Sequence, residues 1–217
     1  MTQTMPRPMS TRITEVVLPG LVEPSGLKLQ QRTLAAPAAG QVLVQVEASG
    51  VSFAEQGMRR GQYPGQPKFP FVPGYDLVGT VREVGAGRNR HLIGTRVAVA
   101  IRTAGWATHA LVDAADLVPV PSAVDSVEAE TVIVNGVTAW QMLFRSAHAK
   151  PGQTILVHGA NGGVGSILVQ LARHVDIRVI GTASPKHHDA LRFLGGIPSI
   201  TTPTIWTRRC TAWPRTA

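Results

Sequence analysis

Between Ala160 and Gly165 the run Ala-Asn-Gly-Gly-Val-Gly sets three glycines where the chain turns from an apolar run into a helical stripe. Such a turn leaves backbone N–H groups open to an anion, and the helix behind it adds a positive N-terminal dipole. Gly162 would let the backbone approach a pyrophosphate, and Gly165 would let helix and strand pack closely. Asn161, Gly163 and Val164 would complete the amide cradle. The first glycine of G-x-G-x-x-G is here Ala160, and on spacing alone the run equally describes an ordinary Gly-rich turn. Context favours the cradle. Ile155, Leu156 and Val157 precede it as the short apolar run of a parallel strand covered on both faces, and Val164, Ile167, Leu168, Leu171 and Ala172 recur after it at helical spacing.

A dinucleotide-binding unit of this kind places an acid for the ribose about twenty residues past the glycines. Ala183 stands there instead. Ser184, Lys186 and His187 follow it, a hydroxyl and cationic groups suited to a 2′-phosphate, so NADPH is expected over NADH. The alternative is a solvated loop that happens to carry a lysine. Other chemistries find little support. A zinc site needs a cluster of Cys, His or acidic ligands, whereas the chain has one cysteine, Cys210, and seven scattered histidines, of which only His187 and His188 are adjacent. No metal is expected. No Gly-x-Ser-x-Gly turn marks a nucleophile, and Glu128 and Glu130 read as structural acids facing solvent at the start of a helix, where they complement its dipole.

The elements that must position the turn are legible in outline. Gln41–Glu47 alternates as a half-buried strand, and residues 77–84 form a strand-like run broken by Gly79 and bounded by Gly85. Val97–Ala100 and Leu111–Val112 continue a series of short strands punctuated by Gly and Pro. A β-rich domain is expected over residues 1–126, helical character from Val127 to Arg145, and the nucleotide-binding domain over residues 127–198.

Five segments, taken with the glycine turn, resemble the zinc-free medium-chain dehydrogenases and reductases, in the branch of the NADPH:quinone oxidoreductases (zeta-crystallin-like) and related enoyl reductases. They are Gly50–Glu55, Arg60–Gly65, Phe71–Asp76, Gly105–His109 and Asn135–Trp140, followed by the turn with its flanking strand and helix. The resemblance implies an α/β protein: a GroES-like β-rich domain followed by a partial Rossmann domain of doubly wound parallel type, with substrate and nicotinamide in the cleft between them. It implies hydride transfer from NADPH to a quinone or an α,β-unsaturated carbonyl without zinc. Ser52 stands where the zinc-dependent branch has its first cysteine ligand, and Tyr75 where it has a histidine. Tyr63 matches a tyrosine proposed as proton donor in enoyl reductases, with a turn tyrosine lining the cleft as the alternative. Ser52 and Thr138 match positions near the nicotinamide and its phosphates; structurally they could equally be a strand-end hydroxyl and a helix-cap hydroxyl.

Composition fits a cytoplasmic enzyme: 217 residues, 44% hydrophobic, no apolar leader and no apolar run long enough to span a membrane. The net charge of +8 raises an acidic partner such as RNA. Arg208, Arg209 and Arg215 supply part of it from a tail without acids, so nucleic-acid binding is not favoured. Residues 199–217 form an irregular tail where a third strand of the parallel sheet should follow Gly196. A shifted reading frame turns it into an Asp-rich segment like that of relatives, so a frameshift near Pro198 and a C-terminally truncated chain are expected, a genuinely divergent tail being the alternative. Truncation would impair turnover and put the homodimer typical of relatives in doubt. The competing reading is a non-catalytic remnant, or a nucleotide- or RNA-binding module.

Overall fold

Short alternating segments in the first half pair into antiparallel sheets, as their period-2 pattern requires. The computed structural model describes residues 10–87 and 89–200. Two compact units divide the chain, one through Ile133 and the other from Val134.

In the first unit β1 (Thr11–Val17) and β2 (Lys28–Leu34) form a hairpin. The buried Glu15 carboxylate accepts hydrogen bonds on both oxygens from Arg32 Nε, at 2.8 and 2.9 Å, and a further one from Gln30 at 2.6 Å, the pairing a buried charge demands. Next come β3 (Gln41–Ala48), helix α1 (Phe53–Arg59), β4 (Asp76–Val84), β5 (Arg96–Ala100), β6 (His109–Asp113) and β7 (Val118–Pro119). These strands make one antiparallel sheet in the order β6-β3-β4-β5-β7. Val42, Val44, Leu77, Val81, Val97 and Val99 are the centre of its core.

β4 runs unbroken through Gly79, against the interruption read from the sequence. A Cβ there would lie 2.1 Å from the Gln45 carbonyl oxygen, so glycine lets β3 pass close where its register shifts between Val46 and Ala48.

Helix α2 (Ser126–Trp140) carries the chain across the unit boundary and ends in a π-helical turn, Gln141–Ser146. The second unit then builds β8 (Thr154–Val157), α3 (Gly163–His174), β9 (Arg178–Thr182), α4 (His188–Leu194) and β10 (Ile197–Ser199). Among the described residues its three strands are parallel, in the order β10-β9-β8. The alternation of strand and helix forces this arrangement, since parallel neighbours need a crossover between them.

Three expectations change here. Among the described residues β8 is an edge strand with Leu156 40% exposed, so it is not covered on both faces. The buried face of α3 is Gly165, Leu168, Val169 and Ala172, which brings in Val169 and leaves Ile167 and Leu171 only partly covered. A third parallel strand does follow Gly196: Ile197, Pro198 and Ser199 pair with Ile180, Gly181 and Thr182. As a sheet edge it tolerates the proline. Residues 201–217, with Cys210 and the three tail arginines, lie outside the described residues.

Candidate functional site

The glycine turn is held at the C-terminal end of β8 by its neighbour β9. Buried Thr182 accepts the Gly159 N–H on its hydroxyl at 3.2 Å, and its carbonyl accepts the Ala160 N–H at 3.0 Å. Gly159, with φ +63°, makes the sharp turn, so the missing glycine at Ala160 is compensated one residue earlier. Ala160 is fully buried, in the sheet-facing place that its small side chain permits. Asn161 is exposed beside it.

Gly162 is the N-cap of α3, and the first amide to find an intrahelical acceptor is that of Ser166, on Gly162 O at 2.8 Å. The amides of Gly163, Val164 and Gly165 therefore precede the helical ladder, as the first turn of any helix must leave them. A Cβ on Gly165 would sit 2.4 Å from Gly159 O, and one on Gly163 2.8 Å from Asn135 Nδ2. The close approach of helix to turn thus depends on Gly165, while Gly163 leaves room for the Asn135 side chain of α2. Three amides without a partner among the described residues, at a dipole's positive end and with no side chain on the cap to fill the space, fit the pyrophosphate of a dinucleotide.

Ser184 and Lys186 follow β9 at the same end of the sheet, because β8 and β9 are parallel with Val157 opposite Gly181. Both are exposed. Ser184 caps a single 3-10 turn, Pro185–His187, without using its hydroxyl. Thr138 lies inside α2 and donates its hydroxyl to Val134 O at 2.7 Å; it does not cap a helix.

The remaining predicted residues belong to the first unit. Ser52, instead of ending a strand, is the N-cap of α1 and closes a capping box: its Oγ accepts the Ala54 N–H at 3.0 Å, while Glu55 Oε2 accepts the Ser52 N–H at 2.8 Å. Glu55 Oε2 also accepts the Ser52 hydroxyl at 2.5 Å, and Tyr75 donates its own hydroxyl to Ser52 Oγ at 2.5 Å. The two positions read as counterparts of zinc ligands therefore meet, as a hydroxyl chain running Tyr75 to Ser52 to buried Glu55. Burial pushes the Tyr75 phenol above its ordinary value, with Glu55, Asp76 and Tyr63 adding to it, so Tyr75 stays protonated. Tyr63 is 40% exposed on the turn after α1 and near enough for its phenol to bear on Tyr75. Among the described residues no cluster of His, Cys, Asp and Glu has the makings of a metal site.

Carboxylate pairing is where the sequence reading needs correcting. Glu130 does not simply face solvent. It is half-buried, and its Oε1 stands with Oδ1 of buried Asp76 beside Gly50, 2.4 and 3.3 Å from where a Cβ on that glycine would lie. Burial, then the charge of Asp76, raises Glu130 to about 7, and burial raises Asp76 as well. The partners come from β4 and α2, far apart in sequence, so neither spacing nor periodicity could signal them. Glu128 is exposed as expected.

Residues 38–122 match the alcohol dehydrogenase GroES-like domain. Over 180 residues the chain is 38% identical to the human synaptic vesicle membrane protein VAT-1 homolog, covering 82% of this chain and 46% of that protein. Over 175 residues it is 36% identical to the quinone oxidoreductase of Rattus norvegicus, covering 80% and 53%. The structure of the quinone oxidoreductase from Thermus thermophilus, also solved with NADPH, superposes with a TM-score of 0.75 at 32% identity, covering 92% of this chain and 63% of that one. The chain spans about half the length of the curated relatives it matches. Domain, sequence and fold agree: the chain carries an alcohol dehydrogenase GroES-like domain, and its relatives are VAT-1 homologs and quinone oxidoreductases of the medium-chain dehydrogenase/reductase family.

Proposed function

We propose that this chain is the cofactor-binding and β-domain portion of an NADPH-dependent reductase that acts on a quinone or an α,β-unsaturated carbonyl, working in the cytoplasm. The observation that carries the proposal is the glycine turn, with its three free amides and an N-cap without a side chain. The NADPH complex of the Thermus thermophilus relative supports the choice of cofactor. When bound, NADPH supplies a hydride. Gly163, Val164 and Gly165 would hold the pyrophosphate, with Asn161 and Gly162 shaping the approach. Ser184 and Lys186 would meet the 2′-phosphate. Thr138 and Ser52 are assigned to the cofactor's nicotinamide side on the family's pattern. Tyr63, whose side chain is exposed, would give a proton to the reduced oxygen, with Tyr75 and Ser52 organising the hydroxyls behind it.

The test is NADPH consumption with a naphthoquinone and with an enoyl thioester, beside NADPH binding, in wild type and Gly162→Asp. An aspartate at the N-cap is itself a good helix cap, so folding should survive. Its charge would oppose the pyrophosphate by about 3 kcal/mol or more, and NADPH affinity should fall on the order of 100-fold. Unchanged affinity in the variant would remove the turn from the site. Binding without turnover on either substrate would favour the non-catalytic alternative.

A further inference from the structure

Glu130 Oε1 and Asp76 Oδ1 border the same point beside Gly50, 2.4 and 3.3 Å from where its Cβ would stand, and two carboxylates so close offer each other only acceptors unless one carries a proton. The surroundings make that proton hard to release. Glu55, 3% exposed, faces the pair from α1, Asp76 is 6% exposed on β4, and Glu130 faces both from α2. No lysine, arginine or histidine among the described residues is a source of either acid's shift. The Gly50 peptide sits beside both acids, and its carbonyl accepts the Trp106 indole N–H at 2.7 Å. A Cβ at residue 50 would lie 2.4 Å from Glu130 Oε1, so the glycine leaves room for that acid. Two residues on, Ser52 caps α1 and accepts the Tyr75 hydroxyl.

We propose that Asp76 and Glu130 share one proton and, through the Gly50 peptide, act as positioning residues that hold Ser52 and Tyr75 in place in the substrate half of the site. The positioning role rests on the reductase reading above; the shared proton does not. With the proton present the pair binds Gly50 as a single acid and single carboxylate. Without it two carboxylates crowd the Gly50 peptide with the charge of Glu55 nearby, and their repulsion frees the segment that leads to Ser52.

The test follows the Trp106 indole N–H by NMR through the neutral pH range, with its signal assigned by Trp106→Phe. The wild-type signal should shift with a midpoint close to 7. In Glu130→Gln, which keeps a hydrogen-bond donor for Asp76 but cannot titrate, the shift should vanish, whereas in Asp76→Asn, where buried Glu130 still titrates without the charge of its partner, the midpoint should fall. A signal that does not move in wild type, or that moves identically in both variants, overturns the shared proton. NADPH affinity measured at the same pH values should weaken several-fold above the midpoint in wild type and stay level in Glu130→Gln. An affinity that falls equally in both overturns the positioning role. Absence of NADPH binding at every pH is a separate result, which counts against the cofactor reading while the indole titration still decides the proton.

Discussion

Lys186 carries a single flexible charge at the end of β9, exposed, on a one-turn helix that fixes its backbone and leaves its side chain free. An interaction of that kind is worth little in water, about 1 kcal/mol once screening and side-chain entropy are counted. Lys186→Ala should therefore lower affinity for NADPH on the order of 5- to 10-fold and leave affinity for NADH unchanged, both read from cofactor fluorescence titrations. Equal losses for the two cofactors would move the lysine away from the 2′-phosphate. Ser52 shows the same scale from the other side. Its hydroxyl is spent on the Ala54 amide, Glu55 and Tyr75, so its contribution to the site cannot be separated from its contribution to α1.

At the scale of elements, the contact between α3 and the turn after β8 rests on Gly165. The atoms a Cβ would meet, Gly159 O at 2.4 Å and Ala160 Cα at 2.8 Å, are backbone and cannot rotate away. Gly165→Ala gains up to about 1 kcal/mol of helix propensity but forces α3 off the strand, an overpacking cost of about 1–3 kcal/mol. Net destabilisation in urea unfolding, with weaker NADPH binding, is the expected outcome. Gly163→Ala makes the contrast, because there the nearest atom is Asn135 Nδ2, the end of a side chain that can move, and stability should hold or rise. The glycine turn itself was legible, since strand, turn and helix are local patterns of fixed period. What periodicity could not reach were contacts made in three dimensions. Gly79 looks like a strand breaker until β3 is seen passing it, and Leu156 looks like a buried strand residue until β8 proves to be a sheet edge. The Tyr75–Ser52–Glu55 chain and the Asp76–Glu130 pair join residues from different elements, and no spacing rule contains them. Thr138 and Ser52 come from the family resemblance, and their structural places differ from a helix cap and a strand end, Thr138 lying inside α2 and Ser52 capping α1, because where a strand or helix ends is the least local property a sequence has.

Across the whole molecule the charge effects are unevenly placed: among the described residues the resolved pKa shifts, at Glu47, Tyr75, Asp76, His109 and Glu130, all fall in the unit through Ile133. Their signs oppose one another. Glu130 and Asp76 bind a proton more tightly folded than unfolded, so the stability they contribute is full below the ordinary carboxyl value of about 4.5 and is lost as pH rises toward 7. His109, pulled down by burial and then by Arg82, works the other way, its contribution growing as pH rises to its ordinary value of 6.5. Glu47, held down by hydrogen bonds from Ser126 and Thr80, matters only in acid, where its contribution is lost as pH falls below the ordinary carboxyl range. Between pH 4.5 and 7 the large shift at Glu130 outweighs that at His109, so the first unit should lose stability as pH rises through this window. Each unit has its own apolar core, and calorimetry should show the pH-dependent loss in the transition of the first unit while that of the second stays nearly level. In Glu130→Gln the acid that dominates the slope is gone, and Asp76 faces a neutral amide, so its own shift relaxes. His109 then sets the sign, and the stability of the first unit should rise with pH where the wild type falls. A wild-type slope that survives the substitution would assign the pH dependence to groups other than this pair.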